Sequence, residues 1–153
     1  MNVRVIHSFR DVLSVTDILH ACGKDMARKY DIHHWDNLWI KTFLIVVGCL
    51  MRNRVSVVED ERIVATYQTK VKDSVLYFQK LAVKPSEGNR GIGSFCLNQI
   101  EQEATERACS KVQMDVYSKS QHAIQFYKKH GYSQMGEDKT LKYNVICLEK
   151  VLI

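Results

Sequence analysis

Apolar and polar residues change their spacing several times along the chain, and each change marks an element. Val3, Val5 and His7 alternate with Arg4, Ile6 and Ser8, the period of a strand. From Asp11 to about Tyr30 the apolar positions Val12, Val15, Ile18, Leu19, Cys22 and Met26 recur at helical spacing, with Ser8 and Asp11 as candidate caps. Residues 31–36 read as a loop, and a second helix covers Asn37 to about Met51. Three strand-like stretches follow at Val55–Val58, Ile63–Gln68 and Val75–Val83, the first two separated by a turn at Glu59–Asp60–Glu61. After a loop at 86–90, Gly91 to Ala108 reads as a helix with Ile92, Phe95, Cys96, Leu97, Ile100 and Ala104 turned inward. Val112–Tyr117 is a strand and Gln121–His130 a short helix. Gly131 suits the position just past that helix, where a left-handed backbone is needed. Strands from Tyr132 to Gly136 and from Tyr143 to Glu149 complete the order β-α-α-β-β-β-α-β-α-β-β, an α/β (α+β) pattern. No repeat, low-complexity tract or composition break divides it, which predicts a single domain over 1–153.

Composition narrows the class. The chain has 153 residues, 46% hydrophobic and 25% charged, the balance of a globular domain. A chain of that length buries roughly two-thirds of its unfolded surface, enough for a core without a metal or disulfide staple. The net charge of +5 suits an anionic ligand. Lys and Arg are dispersed rather than gathered on a stripe, and no helix-turn-helix or RNA-stacking motif occurs, so a nucleic-acid-binding module is not expected. The five cysteines include no C-x-x-C pair, which leaves zinc and redox motifs unsupported and points to small core residues in a reducing compartment. The most apolar run, Phe43 to Met51, is short of the ~20 residues that a spanning helix needs. The N-terminus lacks the apolar stretch of a signal peptide, so no membrane association and a cytoplasmic location are expected. His33 and His34 are adjacent and point apart, so no metal is expected there. Trp35 and Trp39 read as core anchors and as walls of a pocket.

The strongest chemical signal runs from Val83–Lys84–Pro85 through Gly88, Asn89, Arg90, Gly91, Ile92, Gly93 and Ser94. A strand, a glycine-rich basic loop and a helix start come in succession. The first amides of a helix have no internal partner and its dipole favours negative charge there. Glycines let a phosphate approach the backbone, and Arg90 and Ser94 can add side-chain bonds. The loop lacks the Lys that follows the last glycine of a P-loop, and its glycines are not spaced as G-x-G-x-x-G.

These residues resemble the GNAT superfamily of N-acetyltransferases. Its phosphate motif, Gln/Arg-x-x-Gly-x-Gly/Ala after a strand ending Val-x-Pro, aligns without a gap on Val83–Lys84–Pro85 and Gly88–Asn89–Arg90–Gly91–Ile92–Gly93, with Gly88 at the first motif position. A second family motif, Asn-x-x-Ala-x-x-Phe/Leu-Tyr-x-x-x-Gly-Phe, resembles Ser120–Gln121–His122–Ala123–Ile124–Gln125–Phe126–Tyr127 and the following Gly131–Tyr132, with Ser120 in place of Asn.

The resemblance implies a mixed, mostly antiparallel sheet of six to seven strands with about four helices. It implies acetyl-CoA as co-substrate, and transfer of its acetyl group to a primary amine of a small molecule or protein. The pantetheine arm would pair with backbone at Leu81, Ala82 and Val83, near Ser120 and Ala123, and the diphosphate would lie on amides from about Asn89 to Ser94. Tyr127 matches the tyrosine that protonates the departing thiolate. Glu59, Glu61, Tyr77, Gln79 and Asp115 are candidates for accepting or relaying the amine proton. The alternative is a non-catalytic CoA-binding sensor on the same fold. The C-terminal strand, Val145 to Leu152, offers an edge through which a homodimer would pair.

Overall fold

The computed structural model describes residues 1–140 and 142–153. Its elements are β1 (Asn2–Val5), α1 (Phe9–Tyr30), α2 (Trp39–Leu50), β2 (Arg54–Asp60), β3 (Arg62–Lys72), β4 (Val75–Val83), α3 (Ile92–Glu106), β5 (Lys111–Tyr117), α4 (Gln121–Lys129), β6 (Ser133–Lys139) and β7 (Asn144–Val151), with a 3-10 turn at Pro85–Glu87. The strands form one seven-stranded sheet in the order β1-β2-β3-β4-β5-β7-β6. Every neighbouring pair is antiparallel except β4 with β5, which the crossover helix α3 makes parallel.

Alternation along the strands builds two cores. Tyr67, Leu76, Phe78, Val112, Met114 and Leu148 pack with Ile92, Leu97 and Ile100 of α3 and Ile124 and Tyr127 of α4. Val55, Val57 and Ala82 turn the other way, onto Val12, Val15, Ile18 and Leu19 of α1 and Val46 of α2. Arg4 ties β1 to the start of α1 through a two-pronged ion pair with the buried Asp11, at 2.7 and 2.8 Å. That partner holds the Asp11 carboxyl well below the usual carboxylate range.

Several boundaries differ from those the sequence suggests. Helix α1 begins at Phe9 because Ser8 is its cap and accepts from the Asp11 amide at 3.2 Å. The turn after β2 shrinks to Glu61 (φ 64), since Asp60 already pairs with Arg62. β3 extends to Lys72, closed onto β4 by the positive-φ pair Asp73 and Ser74. Gly131 (φ 90) follows the end of α4 as expected. The C-terminal strand is not an edge. β7 is paired on both sides, with β5 and β6, so the free edges are β1 and β6. No helix among the described residues is long and apolar enough to cross a membrane.

Candidate active site

The one parallel pair in the sheet is incomplete. β4 and β5 are in register only at Val75↔Lys111, Leu76↔Val112 and Tyr77↔Gln113. Beyond Tyr77 the register of β4 against β3 shifts, and Lys80 adopts φ 51, so a bulge turns the strand away from β5. Lys84 donates its amide to Val64 O at 2.8 Å, so the alternate groups of Leu81 and Val83 face the opened side. There the Val83 carbonyl accepts the Cys22 thiol at 3.1 Å, and burial pushes that thiol up to about 12. A gap results whose strand-edge groups, apart from the Val83 carbonyl, are unspent.

Two cavities abut along this gap. One, of about 160 Å³, is lined by Leu81, Tyr117, Ser120, Ala123 and Tyr127, with His34 and Trp35 from the loop between α1 and α2. The other, of about 450 Å³, is lined by Gln68, Tyr77, Gln79, Gln113 and Asp115 with Asn53 and Met135. Phe78, Met114 and Asp115 line both. Among the described residues Asp115 is the only carboxylate lining either. Its carboxylate, at the strand position paired with Cys147, together with burial pushes the Cys147 thiol up to about 11. Ser120 is buried, and its hydroxyl has no partner among the described residues. Tyr127 is buried edge-on against Phe78, 5.9 Å between ring centres, and burial raises its phenol above the ordinary tyrosine value. It is at once a core aromatic and a wall of the smaller cavity.

The glycine loop leads into α3 with its amides unspent. Those of residues 89–94 have no backbone acceptor among the described residues, and the first return bond is Phe95 N–H to Gly91 O at 3.0 Å. Gly91 caps the helix at φ 75, no side chain caps it, and no acidic residue lies in its first turn. A Cβ at Gly93 would lie 3.2 Å from Cζ of Phe126, a tight approach to that ring. A turn of free amides at a helix start fits a diphosphate, and the free edge of β4 fits the amide groups of a pantetheine arm.

Two side chains expected at this loop have other partners. Arg90 bonds Glu87 and, at 2.8 Å, Asp60, so its amide is what faces the loop. Ser94 Oγ lies 2.9 Å from Nε2 of His130, whose Nδ1 donates to the Phe126 carbonyl at 2.8 Å. A neutral imidazole so bonded accepts the Ser94 hydroxyl hydrogen. His130 carries no motif signal; only its position four residues after Phe126, at the C-terminal cap of α4, places it here. Of the proton-acceptor candidates, Tyr77, Gln79 and Asp115 come together at the larger cavity. Glu59 instead bonds Arg4 at 2.9 Å, and Glu61 is exposed at its turn. Trp35 does line the smaller cavity, whereas Trp39 donates to Asp17 at 2.7 Å.

The profile of the acetyltransferase (GNAT) family matches residues 15–132, more than half the chain. The chain belongs to the acetyltransferase (GNAT) family. As a member it is an acyl-CoA-dependent acetyltransferase whose co-substrate is acetyl-CoA. Its fold is shared with solved acetyltransferases of low sequence identity. The ribosomal-protein-S18-alanine N-acetyltransferase from Escherichia coli is 14% identical with a TM-score of 0.73, over 98% of this chain and 92% of that one. The PaiA N-acetyltransferase from Thermoplasma acidophilum, solved with coenzyme A, is 14% identical with a TM-score of 0.74, over 99% of this chain and 100% of that one. An aminoglycoside 6'-N-acetyltransferase complexed with coenzyme A reaches a TM-score of 0.76 at 14% identity, over 100% of this chain and 98% of that one. In this GNAT acetyltransferase the bulge at Lys80 and the free amides of 89–94 lie on one continuous path, from the end of β4 through the 3-10 turn to α3.

Proposed function

We propose that this acetyltransferase transfers an acetyl group to a primary amine of a small molecule or protein by direct attack across the β4–β5 gap. The carrying observation is the pair of cavities that meet at Phe78, Met114 and Asp115, one beside the phosphate loop's strand and one beside a carboxamide-rich wall. Acetyl-CoA supplies a thioester carbonyl. The protein's part is to hold it, orient the amine, and manage two protons.

The amides of residues 89–94 would hold the diphosphate, while backbone at Leu81 and Val83 and the Ser120 hydroxyl would hold the pantetheine arm. A Leu81 N–H facing the gap is positioned to donate to an oxygen that gains charge during attack. Asp115 attracts an ammonium and, directly or through a water held by Gln79, receives the proton that must leave before the nitrogen can attack. Tyr127 stays protonated at neutral pH, because burial disfavours its phenolate, and so acts as a donor toward the departing sulfur.

Tyr127→Phe tests the assignment. It removes one donor and no carbon, so the core is kept. Turnover is expected to fall by about 10²-fold, the scale of lost proton transfer. CoA affinity by calorimetry should stay within about twofold. Unchanged turnover would dismiss Tyr127. A wild-type protein that binds CoA yet acetylates no amine would favour the sensor.

A further inference from the structure

The walls on the acceptor side restrict which amine can enter. Gln68 is 1% exposed and lines the 450 Å³ cavity. Its Oε1 accepts from Asn53 Nδ2 at 3.1 Å and from Gln79 Nε2 at 3.2 Å. Its Nε2 is left buried with no partner among the described residues. A buried donor without an acceptor is unfavourable, so an oxygen on a bound molecule would be drawn to it.

The cavity continues into a groove of about 530 Å³ between α2 and β4, through the shared residues Asn53, Lys70 and Gln79. The charged residues lining that groove are Arg52, Lys70 and Lys80, all cationic. None of them is in an ion pair among the described residues. Leu44 and Ile45 of α2, both largely exposed, give the groove an apolar wall. Asp115, the sole carboxylate, lies by the gap where the reacting nitrogen must be. The site thus has one place for a cation and three side chains that repel a second one.

Building on the proposed transfer to a primary amine, we propose that the acceptor is an anionic amine with an apolar body: a primary amine whose molecule also carries a carboxylate, as in an amino acid or an acidic peptide. Its ammonium faces Asp115, an oxygen takes the Gln68 donor, and its anionic group lies among Arg52, Lys70 and Lys80. Polyamines and other polycationic amines are disfavoured, because their further ammonium groups would meet those three cations.

The test is a thiol-release panel on the full chain with acetyl-CoA. Its members are leucine, leucinamide, a short peptide of leucine followed by glutamates, spermidine and kanamycin. Leucine or the acidic peptide should exceed leucinamide and both polycations by about tenfold or more in kcat/KM, the scale of one well-placed charge contact. Activity on the peptide alone would mark a polypeptide N-terminus as the source, and activity on leucine alone a free amino acid. Lys70→Glu and Arg52→Glu alter exposed side chains, so the fold is retained. Each should cut the anionic-to-polycationic preference about tenfold while calorimetric CoA affinity is unchanged. Faster turnover of spermidine or kanamycin by the wild type, or an unaltered preference in both variants, would overturn the proposal and leave amine acetylation standing. If no amine of any charge releases thiol although CoA binds, the amine reading itself fails, and this proposal with it.

Discussion

Gly23 gives a stability prediction whose sign opposes the usual rule. Alanine for glycine inside a helix stabilises by roughly 0.5–1 kcal/mol, because it restricts the unfolded chain. At Gly23, in the middle of α1, an added Cβ would lie 2.1 Å from the Trp35 carbonyl oxygen and 2.6 Å from its carbon. Non-bonded carbons rest at about 3.5–4.0 Å, so the loop between α1 and α2 must retreat by more than about 1 Å. Overpacking of this kind costs about 1–3 kcal/mol or more. Set against the helix gain, Gly23→Ala should destabilise by about 2 kcal/mol, lowering Tm by about 4–8 °C for a chain of this size. Gly48→Ala in α2 is the control: nothing lies within 4 Å of its Cβ, so Tm should hold or rise. The same loop carries His34 and Trp35 into the smaller cavity, so turnover of Gly23→Ala should fall along with Tm. Scanning calorimetry on the two variants decides. A Gly23→Ala protein as stable as wild type would refute the close approach of α1 to the Trp35 backbone.

Two further outcomes follow from the same geometry. Gly91→Val forces a β-branched residue to φ 75 at the α3 cap, a strain on the order of 1–3 kcal/mol, and should weaken CoA binding by about tenfold or more in calorimetry; equal affinity would contradict the role of that turn. His34 and His122 are held below the ordinary histidine value by burial, so the unfolded chain takes up protons first as the pH drops. Tm should therefore decline as the pH falls below about 6.5, and His34→Gln should flatten that decline. His33 shifts upward beside Asp36 and Asp31, but it is fully exposed and its opposite contribution is screened by salt. A profile that rises on acidification through this range would reverse the sign of the argument.

What could be read in the sequence was local. The turn of free amides ahead of α3 was legible because glycine spacing, a preceding strand and a following apolar helix face all lie within a dozen residues, and the structure leaves the amides of 89–94 free. Gly131 was legible for the same reason, its left-handed backbone being a local demand. The features that depend on which strands meet were not. The bulge that opens the gap is at Lys80, a residue with no bias toward positive φ, and it arises from the register of β4 on β3. β7 looked like an edge because nothing local shows that β6 folds back outside it. Gln68 and Asn53 read as ordinary polar positions until β2, β3 and β4 bring them together with Gln79. Arg90 looked like a phosphate ligand because its partners, Asp60 on β2 and Glu87 in the turn, are brought to it by the fold.

The claim beneath all of this is that the backbone amides from residue 89 to residue 94 hold the diphosphate of the co-substrate. An NMR titration of ¹⁵N-labelled protein with coenzyme A reads those amides one by one. The account predicts saturable shifts at residues 89–94, joined by Leu81 and Ser120 along the gap. Shifts gathered elsewhere, with the 89–94 resonances unmoved at saturating coenzyme A, would contradict it.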